Sequence, residues 1–149
     1  MKPGDRLPDL VRTIDLTAMV AYAAATWDWH RLHHDPEHAR RAGLDRPVVD
    51  GQMLGALLAE QVMRHIGHQG RITRLRYRNR GPVYAGSVVT CEATIAEAGP
   101  RGFTIDQLIR VGDELVVAPA AAEVELTSEP GRRPGGQPAP LMARPPLTS

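Results

Sequence analysis

Residues 51–66, GQMLGALLAEQVMRHI, decide the fold. Met53, Leu54, Leu57, Leu58, Val62 and Ile66 recur every three or four positions, the spacing of one helical face. Gly55, Ala56 and Ala59 add small faces, so the segment is apolar around much of its circumference. Such a helix is buried on several sides. Asp50 offers a carboxylate to cap its first turn, and Gly67 ends it.

Downstream of Gly70 the period changes to two. Arg71 to Arg80 alternates Leu75 and Tyr77 with Arg74, Arg76, Arg78 and Arg80, and Val89, Cys91, Ala93 and Ile95 alternate with polar neighbours. Turns at 81–86, 99–102 and 112–113 separate these strands from two more, Phe103 to Val111 and Leu115 to Leu126. The last is expected to break or bulge near Pro119, which lacks a backbone donor. Upstream, Leu7 to Ile14 predicts a short strand, and Asp15 caps a helix from Leu16 to about Ala25. Residues 26–50 form a long connection with one short helix, which starts at Asp35-Pro36-Glu37 and ends at Gly43. The expectation is an α+β chain. An antiparallel meander of about five strands wraps around one long apolar helix, the arrangement of a hot-dog fold.

The 149 residues suit one domain. Ser128 to Ser149 holds six of the 13 prolines and no apolar period. It predicts a Pro/Gly-rich disordered tail behind a folded domain at 1–127. With 18 basic and 17 acidic residues the chain is near neutral, which argues against a nucleic-acid binder. All basic residues except Lys2 are arginine, which reads as coding bias or, on one strand, as anion recognition. No apolar run is long enough to span a membrane. The start, MKPGDRLPDL, lacks a signal-peptide centre, and the lone Cys91 suits a reducing compartment, so the expected location is cytoplasmic.

The chemistry-bearing segment is Thr26-Trp27-Asp28-Trp29-His30-Arg31-Leu32-His33-His34-Asp35. On a regular helix Asp28 and His33 would stand about 140° apart, so they converge only if the segment is a loop. A carboxylate and an imidazole converging on one water can take one proton and deliver another. A solvated polar loop is the plainer reading of the same spacing.

The run TWDWHRLHHDPEHARRAGLDRPVVDGQML resembles the motif of the MaoC-like (R)-specific enoyl-CoA hydratases. That motif has an acid, then Asn-Pro-hydrophobic-His, an Asp, a short helix, a glycine and a Pro-hydrophobic-hydrophobic-His-Gly-Met turn. Asp28, Leu32, His33, Asp35, Ala39, Gly43, Pro47, Val48, Val49 and Gly51 match it without a gap. His30 and Arg31 replace the motif's Asn and Pro, and Asp50 and Gln52 replace its His and Met. The resemblance implies that Asp28 and His33 hold the attacking water, and that the Gly51 N–H polarises a thioester carbonyl. It implies an acyl-CoA or acyl-carrier substrate, no cofactor beyond the coenzyme A of the substrate, and assembly as a homodimer or with a second hot-dog chain. A thioesterase or polyketide-type dehydratase on the same fold is the alternative enzyme.

Further site residues are expected around this set. Trp27 and Trp29 flank the acid and would wall it from water. Arg78 and Arg80 would meet coenzyme A phosphates, unless the arginine face is simply solvated. Gly55, Ala56 and Ala59 would leave room for a bulky acyl tail. A metal site built from His30, His33, His34 and His38 is rejected, because adjacent histidines diverge in any regular structure.

Overall fold

The computed structural model describes residues 1–127, so the Pro/Gly-rich tail lies outside the described residues. The elements are β1 (Leu10–Ile14), α1 (Leu16–Thr26), a 3-10 turn (Arg31–His33), α2 (Pro36–Arg41), α3 (Gly51–Ile66), β2 (Gly70–Asn79), β3 (Ser87–Gly99), β4 (Gly102–Val111) and β5 (Glu114–Leu126). The first strand starts later than its apolar pattern, since Pro8 has no N–H to give a ladder. Asp15 caps α1 through a 2.8 Å bond from the Ala18 N–H.

Five antiparallel strands curl around α3 in the hot-dog arrangement, in the order β1-β3-β4-β5-β2. Only β3, β4 and β5 form the meander expected for the last four strands. The β2 strand pairs with β5, with Leu75 opposite Ala122, and not with β3. The connection 80–86 cannot close a hairpin because its backbone is engaged elsewhere. Val49 N–H donates to Val83 O at 2.7 Å, Ala85 N–H donates to Pro47 O at 2.9 Å, and Val48 bridges Tyr84. The chain therefore crosses the α3 N-terminus before entering β3.

Alternation places Val89, Cys91, Ala93 and Ile95 of β3, and Phe103, Ile105 and Ile109 of β4, on the concave face. They meet Leu54, Leu57, Leu58, Val62 and Ile66 of α3. Both ladders of β5 shift register around Pro119, which lacks a backbone donor, and the β2 ladder shifts once more between Ile72 and Arg74. Two buried glutamines join helix to sheet. Gln61 Nε2 donates to Pro8 O and Cys91 O, and Gln107 Nε2 donates to Leu58 O and Gln61 Oε1.

Two of the small residues of α3, Gly55 and Ala56, do not leave space for an acyl tail. A Cβ on Gly55 would lie 2.5 Å from Cζ of Tyr77, so the Tyr77 ring already fills that notch. Ala56 faces outward and is exposed.

Candidate active site

The segment 26–35 is a loop, and its path is fixed by local hydrogen bonds. The α1 helix ends at Trp27, in the left-handed region at φ 59. The Asp28 N–H still reaches back to Ala23 O. This turn sends the chain inward at Asp28. A non-glycine residue in that conformation costs about 1–2 kcal/mol. The His30 ring Nδ1 accepts from the Leu32 N–H at 3.3 Å, capping the 3-10 turn that carries His33. An asparagine oxygen would cap in the same way, so His30 can replace it in the motif. Asp35 caps α2 through the Glu37 and His38 N–H groups and pairs with Arg31. The His38 N–H and the Arg31 guanidinium hold its carboxyl down at about 2.

Two bonds tie this turn to the strand-like segment before α3. Val48 N–H donates to Leu32 O at 3.0 Å, and His33 Nδ1 lies 2.7 Å from Val48 O. A carbonyl only accepts, so Nδ1 carries the proton. Neutral His33 then has Nε2 unprotonated and available as a base.

Asp28 and His33 do converge, and Asp50 joins them. One potential ligand or proton-transfer atom from each of the three lies within 4.8 Å of the others. They line a small cavity of about 10 Å³, room for a single water molecule, together with Met19, Tyr22, Ala23 and Met53. Chemically, two oxygens and a nitrogen can hold a water or a cation. Among the described residues, His30, His34 and His38 do not join this group.

Asp50 performs the capping expected of it, accepting from the Gln52 N–H at 2.8 Å. Its presence in the cavity is new. Burial raises the Tyr22 phenol above its usual range, and the negative charge of Asp50 adds to this. Sequence reasoning missed Tyr22, although Met19, Tyr22 and Ala23 share one face of α1 at helical spacing. The Gly51 N–H makes no backbone or side-chain bond among the described residues, and Gly51 is half-buried, next in the chain to Asp50, which lines the cavity.

The other expected residues are placed differently. Trp27 is 81% exposed and Trp29 43%, and neither lines the cavity, so they do not wall Asp28 from water. They pack edge-to-face on each other at 6.1 Å, and Trp29 packs against His34. The arginine face is partly spent on pairing. Arg74 and Arg76 lie within 4.0 Å of Glu123, and Arg80 Nε donates to Ala118 O. Arg78 has no ion-pair partner among the described residues.

The family model described as MaoC like domain matches residues 3–117. The chain is 31% identical over 90 residues to the mitochondrial 3-hydroxyacyl-[acyl-carrier-protein] dehydratase of Arabidopsis thaliana, covering 60% of this chain and 52% of the relative. It thus spans about half the length of that plant protein. It is 30% identical over 111 residues to the (R)-specific enoyl-CoA hydratase of Aeromonas caviae, covering 66% of this chain and 81% of the relative. Among solved structures, a chain of the ChsH1-ChsH2 complex from Mycobacterium tuberculosis superposes with a TM-score of 0.78 at 26% identity, covering 84% of this chain and 98% of that one.

Proposed function

From the premise that this chain belongs to the MaoC-like domain family, we propose that it is a hydro-lyase. It adds water to a trans-2-enoyl thioester, reversibly dehydrating the 3-hydroxyacyl form. The observation that carries this reading is the shared cavity of Asp28 and His33 beside the unpaired Gly51 N–H.

Water is held between Asp28 and His33. His33 Nε2 removes its proton while the oxygen bonds to the β-carbon, and Asp28 orients the water by accepting its second hydrogen. Electrons move from the double bond onto the thioester oxygen, which faces the Gly51 N–H. A preorganised donor at such a site is worth about 3 kcal/mol. The proton on the His33–Asp28 pair then passes to the α-carbon. The balance is one water added, with no oxidant, reductant or cofactor beyond the coenzyme A or carrier arm of the substrate.

Arg78 is the better placed of the two arginines to meet a coenzyme A phosphate, because Arg80 already donates to Ala118 O. Trp27 and Trp29 offer an exposed aromatic surface near the cavity for the rest of the thioester. Assembly as a homodimer or with a second hot-dog chain is also proposed. The Mycobacterium structure is of a two-component complex. Here α1 has no charged residue and exposes Leu16 and Val20. An apolar surface of this kind favours a protein partner.

The test is to follow purified protein with enoyl-CoA and enoyl-carrier substrates, monitoring enoyl absorbance and free thiol in parallel. Loss of enoyl absorbance without thiol release is expected. Thiol release from saturated acyl thioesters would replace the hydratase with a thioesterase. Activity appearing only with a co-expressed partner would make this chain one subunit of a heteromeric enzyme.

A further inference from the structure

Gly51 has a neighbour that the sequence does not reveal. Asn79 is the last residue of β2, beyond a register shift between Tyr77 and Asn79. Its side chain lies over the first turn of α3. A Cβ on Gly51 would stand 2.3 Å from Asn79 Nδ2, 3.5 Å from Cγ and 4.0 Å from Oδ1. The amino end of the carboxamide, not its oxygen, therefore faces Gly51.

Building on the hydratase reading above, we propose that Asn79 Nδ2 donates a second hydrogen bond, beside the Gly51 N–H, to the thioester carbonyl oxygen. Within a residue, N and Cβ are about 2.5 Å apart by standard bond lengths and angles. Asn79 Nδ2 and Gly51 N thus lie within about 5 Å of each other. Two donors that each approach one oxygen to about 2.9 Å can be separated by up to about 5.8 Å. One carbonyl oxygen can take both.

Among the described residues these two donors have no competing hydrogen-bond partner. Thr73 and Arg80, also on this strand and its exit, spend their side chains on the Glu123 and Ala118 carbonyls of β5. Asn79 has no such partner among the described residues. The next helix donor, Gln52 N–H, is taken by Asp50. Gly51 N–H alone would have to polarise the carbonyl beside the Asp50 carboxylate, whose charge opposes a developing enolate. A neutral carboxamide offsets that repulsion without adding a charge. It also gives Gly51 a second reason to lack a side chain, since a Cβ would push the donor away.

The experiment compares Asn79→Ala and Asn79→Leu with the parent chain. Leucine keeps the size of asparagine and removes the donor, so a mere plug over Gly51 would survive it. With crotonyl-CoA, both variants are expected to lose about tenfold to a hundredfold in kcat with KM nearly unchanged. A second readout is the ultraviolet difference spectrum of 2,4-hexadienoyl-CoA bound to an Asp28→Asn background. Polarisation of the carbonyl shifts the conjugated band to the red, and each Asn79 variant should reduce that shift. Parental kcat and an undiminished red shift in the leucine variant would overturn the role of Asn79 and leave the hydratase reading intact. A parent chain that neither hydrates nor binds any enoyl thioester would overturn both.

Discussion

Gly51 and Gly55 sit one helical turn apart on α3, and each lacks a side chain for a different reason. At Gly51 the obstructing atom is the end of the flexible Asn79 side chain, which can move aside. At Gly55 three atoms of the Tyr77 phenol lie 2.5–2.6 Å from the Cβ position, and the packed ring cannot yield so easily. Gly51→Ala should therefore change stability by less than about 1 kcal/mol while lowering hydration. Gly55→Ala should cost about 1–3 kcal/mol, the usual range for overpacking. Urea unfolding of the two variants checks this, and equal losses would contradict the distinction. The Asp28–His33 pair was legible because loop residues and their spacing carry the motif. Asp50 was read only as a cap, since nothing in its sequence position shows which way its second oxygen faces. Asn79 gave no signal, because its meeting with Gly51 depends on where β2 crosses α3.

At the scale of elements, the apolar spacing of α3 and the period-two strands gave the correct layers. The neighbours of β2 were misread because alternation says which face a residue takes, not which strand lies beside it. Its true partner, β5, is distant in sequence, and what prevents a β2–β3 hairpin is the set of bonds between residues 47–49 and 83–85. The glutamine bridge between α3 and the sheet was equally hidden. Gln61 is 3% exposed and satisfies the Pro8 and Cys91 carbonyls while accepting from Gln107. Gln61→Leu should destabilise by about 2–3 kcal/mol, because buried partners lose their hydrogen bonds. Denaturation midpoints test this, and a leucine variant as stable as the parent would show that packing, not hydrogen bonding, governs that layer. Gln61→Glu should fare no better, since a carboxylate cannot donate to either carbonyl.

For the whole molecule, three groups have shifted proton affinity and bear on stability with pH: Asp35 on the acid side, and Cys91 and Tyr22 on the alkaline side. Backbone donation from His38 and pairing with Arg31 lower Asp35 from 3.8 to about 2. Its contribution is present above pH 3.8 and is lost as pH falls towards 2. Burial pushes the Cys91 thiol from 9.0 up to about 12. Its contribution is present below pH 9 and is lost as pH rises towards 12, where the unfolded chain ionises first. Thermal unfolding across pH should show both declines. Cys91→Ala should reduce the alkaline decline while the part owed to Tyr22 stays, and an unchanged alkaline limb would contradict the assignment to Cys91. The fold as a whole serves one arrangement: the turn after α1 presents Asp28, a short 3-10 turn presents His33, and Asp50 caps α3, all three at one cavity. The most direct measurement is the turnover of crotonyl-CoA by the parent chain, Asp28→Asn and His33→Ala under identical conditions. Each variant should lose at least about a hundredfold in kcat while remaining folded; near-parental hydration by either one would contradict the assignment of this cavity as the active site.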